Sequence, residues 1–294
     1  MTAASTSFGD RLASVFAEFG RLCVGIDPHA HLLREWGLEE SGAGTREFGL
    51  RVVDAVAGRA GIVKPQVAFF ERYGAAGYAA LEDVLAAARA AGILVIADAK
   101  RGDIGTSVEA YGQAWLTPGS PLEADAMTIA AFQGVGSIAA PMELAEAAGK
   151  GLFVLAATSN PEAELIQRAL VPVENASGRT VSRAIIDDVK EFNEAQSVHP
   201  FGSIGVVLGA TLDLARYGID TRSPAGVNPP PVLAPGFGHQ GAKLSEARSI
   251  FGSYAPATIV SESRAILSSG PDKLANVVGT RAEQVRAEMG SEIG

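Results

Sequence analysis

Two acids bracket a lysine in the stretch Asp98-Ala99-Lys100-Arg101-Gly102-Asp103-Ile104. Asp98 and Lys100 stand two residues apart, so on an extended strand their side chains share a face. Lys64, on an earlier apolar run, can face them. Asp103 can reach the same region directly or across a subunit interface. Alternating ammoniums and carboxylates in a partly desolvated site hold one another charged. A lysine held that way can deliver a proton to a developing carbanion. A lone Asp–Lys pair reads more simply as a structural ion pair. Charges gathered from several strand ends favour chemistry instead.

A second group could bind an anion. Pro235-Gly236-Phe237-Gly238-His239-Gln240-Gly241 is rich in glycine, so its backbone N–H groups can approach an anion closely. Gln240 adds a side-chain donor, and Arg264 can grip a phosphate through a bidentate fork. Asp27 and the run Thr158-Ser159-Asn160 add polar groups at the ends of other apolar runs.

These residues matter together only if the fold gathers them. Eight apolar runs recur about every 35 residues: 22–27, 62–66, 93–100, 126–131, 151–158, 203–210, 231–236 and 258–263. They are nearly continuous in apolar character, as strands covered on both faces must be. Between them lie helical stretches, clearest at 72–91, 135–148, 180–197 and 272–289; the first two stop at Gly92 and Gly149. Strand–helix alternation repeated eight times predicts a single-domain (β/α)8 TIM barrel over 1–294, with a polar N-terminal tail over about 1–8. A doubly wound open sheet is the rival, and no G-x-G-x-x-G follows the first strand. In a barrel the strand C-termini share one mouth, where the polar residues above would meet. Phosphate sites recur at the ends of the last two strands of this fold. Residues 28–44 form a long connection after the first strand. The turn-rich stretch 218–231 falls on the opposite face.

Composition agrees. The chain has 294 residues, 47% hydrophobic and 19% charged, with net charge −9. Such a chain can bury a large core and is a poor match for nucleic acid or anionic membrane. No apolar run spans a bilayer and no secretory leader is evident. The one cysteine, Cys23, excludes an internal disulfide and a Cys-rich zinc site, and fits a cytoplasmic protein.

At Asp98–Ile104 the chain resembles the orotidine 5′-phosphate decarboxylase family, whose signature is D-x-K-x-x-D-I. The resemblance extends to GIDP at 25–28, VKPQ at 63–66, TSNP at 158–161, PGFGHQG at 235–241 and SR at 263–264, in the family's order. The longer bacterial subgroup is the nearer likeness. The resemblance implies cofactor-independent and metal-independent conversion of orotidine 5′-phosphate to uridine 5′-phosphate and CO2, the last step of de novo UMP synthesis. It implies Lys100 as proton donor to pyrimidine C6, Asp98 beside the departing carboxylate, and Lys64 bridging the two acids. Asp103 and Ser107 would come from the partner subunit of a homodimer. Ser107 stands where many members have threonine, and neighbouring Thr106 offers a second hydroxyl for the same ribose contact. Asp27 would bind a ribose hydroxyl and Ser159 the pyrimidine amide edge. Gln240 and Arg264 would hold phosphate, with Ile104 and Pro235 as further substrate contacts.

Two rivals remain open on the residues alone. A metal-dependent phosphosugar enzyme could use Asp27, Asp98 and Asp103, although Lys64 and Lys100 would crowd the cation. A noncatalytic nucleotide-binding barrel would bind without turnover. His29 and His31 are spaced for a metal pair but lack a third partner, and read as loop residues. Trp36 and Trp115 read as packing anchors. Glu262 has no legible direction on its strand.

Overall fold

The computed structural model describes residues 6–173 and 176–290. Residues 1–5 of the expected polar tail lie outside the described residues. Eight parallel strands close a barrel in simple sequential order: β1 (Leu22–Ile26), β2 (Ile62–Pro65), β3 (Leu94–Arg101), β4 (Ala126–Ile129), β5 (Gly151–Ala157), β6 (Ile204–Leu208), β7 (Val232–Pro235) and β8 (Thr258–Glu262). β8 pairs back onto β1, with Val24 opposite Glu262. The expected TIM barrel is therefore present, and each strand falls within a residue or two of its apolar run.

The outer ring comprises α2 (Gly42–Val56), α3 (Gly74–Ala90), α4 (Gly105–Leu116), α5 (Ala139–Ala147), α6 (Val181–Glu194) and α7 (Leu274–Met289). After β6 a 3₁₀ turn, Leu214–Tyr217, replaces a helix, and after β7 a short one, Ala247–Phe251, suffices. Local signals set the boundaries. The Thr180 hydroxyl accepts from Arg183 N–H and caps α6. Gly92, at φ +72°, stops α3.

An additional helix, α1 (Phe8–Phe19), precedes the barrel, capped by the Ser7 hydroxyl. Its Phe8, Leu12 and Phe16 lie one turn apart on one face. They pack with Cys23, Ile62, Leu94, Ile96, Phe153 and Ile259 in an interior cluster, plugging the N-terminal end of the barrel. Each such phenylalanine contributes roughly 1.5–3 kcal/mol through burial. Ion pairs fasten the plug: Arg11 pairs with Asp125, whose other oxygen accepts from Val95 N–H at 2.8 Å, while Lys150 meets Glu123 at 2.7 Å.

The connection 28–44 contains a short helix, Ala30–Glu35. Trp36, just beyond it, stacks on Phe48 with ring centroids 4.2 Å apart, and Trp115 is buried. An antiparallel hairpin, Leu170–Val173 with Ala176–Thr180, follows β5. The apolar pattern gave no sign of it because its strands do not feed the barrel core; Leu170 is exposed. Among the described residues no helix is long and apolar enough to cross a membrane.

Candidate active site

Strand alternation explains how the site arises. Ile62 on β2 and Ile96 on β3 belong to the interior cluster, so Lys64 and Asp98, two residues further on, point inward one layer higher. Ala126 on β4 places Thr128 at the same level by the same step, and Ile259 on β8 so places Ser261. The lower layer is apolar and fixes the barrel; the upper layer is polar and opens to the mouth.

Asp98 is the centre of that layer. It is 7% exposed and receives four donors. Lys100 Nζ lies 2.6 Å from Oδ1 and the Thr128 hydroxyl donates to the same oxygen at 2.8 Å. Lys64 Nζ donates to Oδ2 at 2.8 Å. The Gln66 amide fits with its nitrogen toward Asp98 Oδ2 at 2.6 Å and its oxygen toward Lys100 Nζ at 3.3 Å. Burial alone would raise the Asp98 carboxyl, but the two ammoniums outweigh it and hold the group well below the usual carboxylate range. Burial alone would lower Lys64; Asp98 and then Asp27 reverse this and hold its ammonium above the ordinary lysine value. The lysines differ in access. Lys64 is 9% exposed at its side chain and Lys100 46%, so the second is the more open to the cavity.

Regular alternation does not reach Lys100. β3 pairs with β4 at Ala97–Met127 and next at Arg101–Ile129, so the strand bulges between them. Lys100 has φ +48°, in the left-handed region. The bulge turns its ammonium back onto Asp98.

Asp27 and Ser263 meet across the seam of β1 and β8. A Cβ on Gly25 would lie 2.6 Å from the Ser263 Cβ and 3.3 Å from Asp27 Oδ1, so only glycine fits there. Asp27 Oδ1 and Ser263 Oγ are buried without a hydrogen-bond partner among the described residues. Both border a cavity of about 300 Å3 shared with Lys64, Asp98 and Lys100. Ser159, Pro235, Gln240 and Arg264 line the same cavity, as do the apolar side chains Leu155, Val207 and Leu233. The loop after β7 holds Gly236, Gly238 and Gly241 at φ +119°, +68° and +100°, conformations that L side chains rarely adopt. It closes on itself through Gly238 N–H to Ala242 C=O at 3.2 Å and Ala242 N–H to Gly236 C=O at 3.2 Å.

Asp103, Ile104 and Ser107 do not line the cavity within one chain. They stand on the rim beyond β3; the Asp103 carboxylate accepts from Ile104 N–H at 2.9 Å, and Ile104 is 59% exposed. Cys23 lies in the barrel interior, and burial pushes its thiol up to about 12. His29 packs against Phe69 with centroids 4.2 Å apart and ring planes inclined by 55°, and burial lowers its imidazole. Glu262 points outward, where it forms an ion pair with Arg281 of α7. Sequence reasoning missed Thr128 and the role of Gln66. Their only signal is a polar side chain at an inward position level with Asp98, which requires the register to read.

A closed βα barrel with a lysine–carboxylate cluster from β2 and β3 in its mouth defines the class: a TIM-barrel enzyme. The chain belongs to the orotidine 5′-phosphate decarboxylase / HUMPS family, whose model matches residues 20–277. Its named relatives are orotidine 5′-phosphate decarboxylases, which are carboxy-lyases. The one from Salinispora tropica is 48% identical over 269 residues, covering 92% of each chain. A crystal structure from Streptomyces avermitilis, described as a candidate orotidine 5′-phosphate decarboxylase, superposes with TM-score 0.89 at 42% identity, over 98% of this chain and 97% of that one. The OMP decarboxylase of Leishmania donovani superposes with TM-score 0.75 at 27% identity, over 97% and 99%.

Proposed function

We propose that this chain decarboxylates orotidine 5′-phosphate to uridine 5′-phosphate in pyrimidine synthesis, with Lys100 as the acid. The observation that carries the reading is the Lys100 ammonium, half exposed to the cavity yet held at 2.6 Å by a buried carboxylate. In the proposed step the C6–carboxylate bond breaks, CO2 leaves, and the electron pair stays on C6 in the ring plane. The Lys100 ammonium stabilises that pair and then gives it a proton, and water returns a proton to the amine. Preorganised charge is the main source of acceleration, because the charged cluster of Asp98 and Lys64 holds the Lys100 ammonium in place before substrate arrives. The same Asp98 charge would also face the substrate carboxylate.

The remaining cavity supports substrate placement. Leu155, Val207 and Leu233 offer an apolar bed for the pyrimidine, with Ser159 at its amide edge and Pro235 beside it. The unpartnered Asp27 Oδ1 and Ser263 Oγ suit ribose hydroxyls. The glycine loop, Gln240 and Arg264 suit the phosphate, whose binding energy can hold the loop closed. The exposed rim residues Ile104 and Phe132, 59% and 75% exposed, support a homodimer that buries them and brings Asp103 and Ser107 to the neighbouring site. Lys64 and Lys100 already pair with Asp98 and would set like charge against a cation there, so the reaction is read as metal-independent. A soluble nucleotide substrate and the single buried thiol fit work in the cytoplasm.

The test is turnover of orotidine 5′-phosphate by protein dialysed against chelator, followed by loss of the orotate absorbance, with Lys100→Ala alongside. Wild-type turnover and loss of at least about 10³-fold in Lys100→Ala are expected. A folded wild type with no turnover overturns the assignment; an active Lys100→Ala overturns the role of Lys100.

A further inference from the structure

We propose that Thr128 is a positioning residue for the reaction: its single hydroxyl fixes the Lys100 backbone and the Asp98 carboxylate together, and so aims the proton donor. The inference rests on the decarboxylase reading for its reaction and goes beyond it in naming what holds the acid in place.

The bulge in β3 sets the need. Four steps along β3, from Ala97 to Arg101, face only two along β4, from Met127 to Ile129. The Lys100 N–H therefore falls outside the regular ladder, in a residue whose φ of +48° suits glycine or asparagine better than lysine. An N–H of this kind, partly buried and off the ladder, is held by a partner from elsewhere. The Thr128 oxygen accepts it at 2.9 Å. The same hydroxyl donates its one proton to Asp98 Oδ1 at 2.8 Å. That oxygen is also the one on which the Lys100 ammonium rests, at 2.6 Å. Backbone, carboxylate and ammonium of the proposed acid thus form a closed loop through one oxygen atom of β4.

Neighbouring groups do not duplicate this. Lys64 and Gln66 act on Oδ2, the other carboxylate oxygen. Thr128 is 1% exposed, so water has little room to replace the hydroxyl. Its β-branch restricts χ1, which keeps the oxygen between its two partners. Valine matches the shape of threonine but can neither accept from Lys100 N–H nor donate to Asp98. Serine keeps both hydrogen bonds and loses only the methyl group.

The experiment compares Thr128→Val, Thr128→Ser and Thr128→Ala with wild type, measuring kcat and KM for orotidine 5′-phosphate, affinity for uridine 5′-phosphate, and thermal melting. Misplacing a catalytic group by about 1 Å costs on the order of 10²-fold in rate, so kcat of Thr128→Val is expected to fall roughly 10- to 100-fold. Product affinity is expected to stay within about twofold, and Thr128→Ser to stay within about threefold of wild-type kcat. Thr128→Ala, read per folded molecule, gives the same answer if the valine variant does not fold. Unchanged kcat in Thr128→Val overturns the proposal. So does parallel loss of kcat and product affinity, or a serine variant as poor as valine. A wild type that binds uridine 5′-phosphate but does not turn over the substrate defeats the decarboxylase reading instead. The positioning role is then read without turnover from the crystal structure of Thr128→Val: Lys100 leaving the left-handed region supports it, and an unmoved Lys100 backbone and ammonium overturn it.

Discussion

Asp98 and Lys64 show how one contact sets two charges against opposite burial effects. The Asp98 carboxyl lies below its ordinary range, so its stabilising contribution is full above about pH 4 and is lost as pH falls through the folded value. The Lys64 ammonium lies above its ordinary range, so its contribution is full below about pH 10 and is lost as pH rises through the folded value. Between roughly pH 5 and 9 both stay charged, and neither produces a limb in the pH–rate profile. Asp98→Asn leaves two ammoniums facing a neutral amide and is expected to lower Tm at pH 7. The difference in Tm from wild type should shrink as pH drops below about 4, because the unfolded chain then takes up a proton that the folded carboxylate resists, and vanish only as the folded carboxylate is protonated too. Melting curves at several acidic pH values check this, and a constant difference contradicts it. The residue pattern of this cluster was legible: Asp98, Lys100 and Lys64 are polar interruptions of apolar runs. Thr128 was not, because a threonine within a strand needs no special explanation until the facing strand is known.

At the scale of elements, α1 separates stability from chemistry. It fills the barrel end opposite the cavity, with Phe8 and Phe16 fully buried. Phe16→Ala removes a large side chain from that plug and is expected to cost about 3–5 kcal/mol. The kcat of the remaining folded protein should stay near wild type, since the site lies above the interior apolar layer. Denaturant unfolding read beside active-site titration separates the two effects. The β3 bulge makes the complementary point. Period-two alternation correctly put Lys100 near Asp98, but the actual route is a left-handed residue held by a hydroxyl from β4. A strand pattern can mark which side chains point inward; it carries no sign of two extra residues in the ladder. The hairpin after β5 escaped for a related reason, since its short strands bury too little to show an apolar period.

At the scale of the whole molecule, the rim residues decide whether one barrel is enough. Asp103 and Ser107 lie outside the cavity of their own chain, beside exposed Ile104. If the proposed homodimer completes each site with the partner's Asp103, Lys100→Ala and Asp103→Ala chains damage different halves of a site. Each variant alone should be nearly inactive. Random mixing of the two should restore roughly a quarter of wild-type activity, because half the dimers are hybrid and one site in each is intact. Activity no greater than that of the separate variants would contradict a shared site.

The sequence by itself determined the barrel and most of the cavity's polar residues. Buried parallel strands must be apolar, so eight such runs separated by helices declare the fold, and polar residues at their ends stand out against that background. The glycines of the 235–241 loop were visible too, although their three positive φ angles were not. Tertiary structure alone decided which polar groups share an oxygen atom, which lysine faces the cavity and which is buried, and that Glu262 turns outward to Arg281. These depend on strand register, on the bulge, and on side chains far apart in the chain meeting within about 3 Å, a distance at which local pattern carries no information.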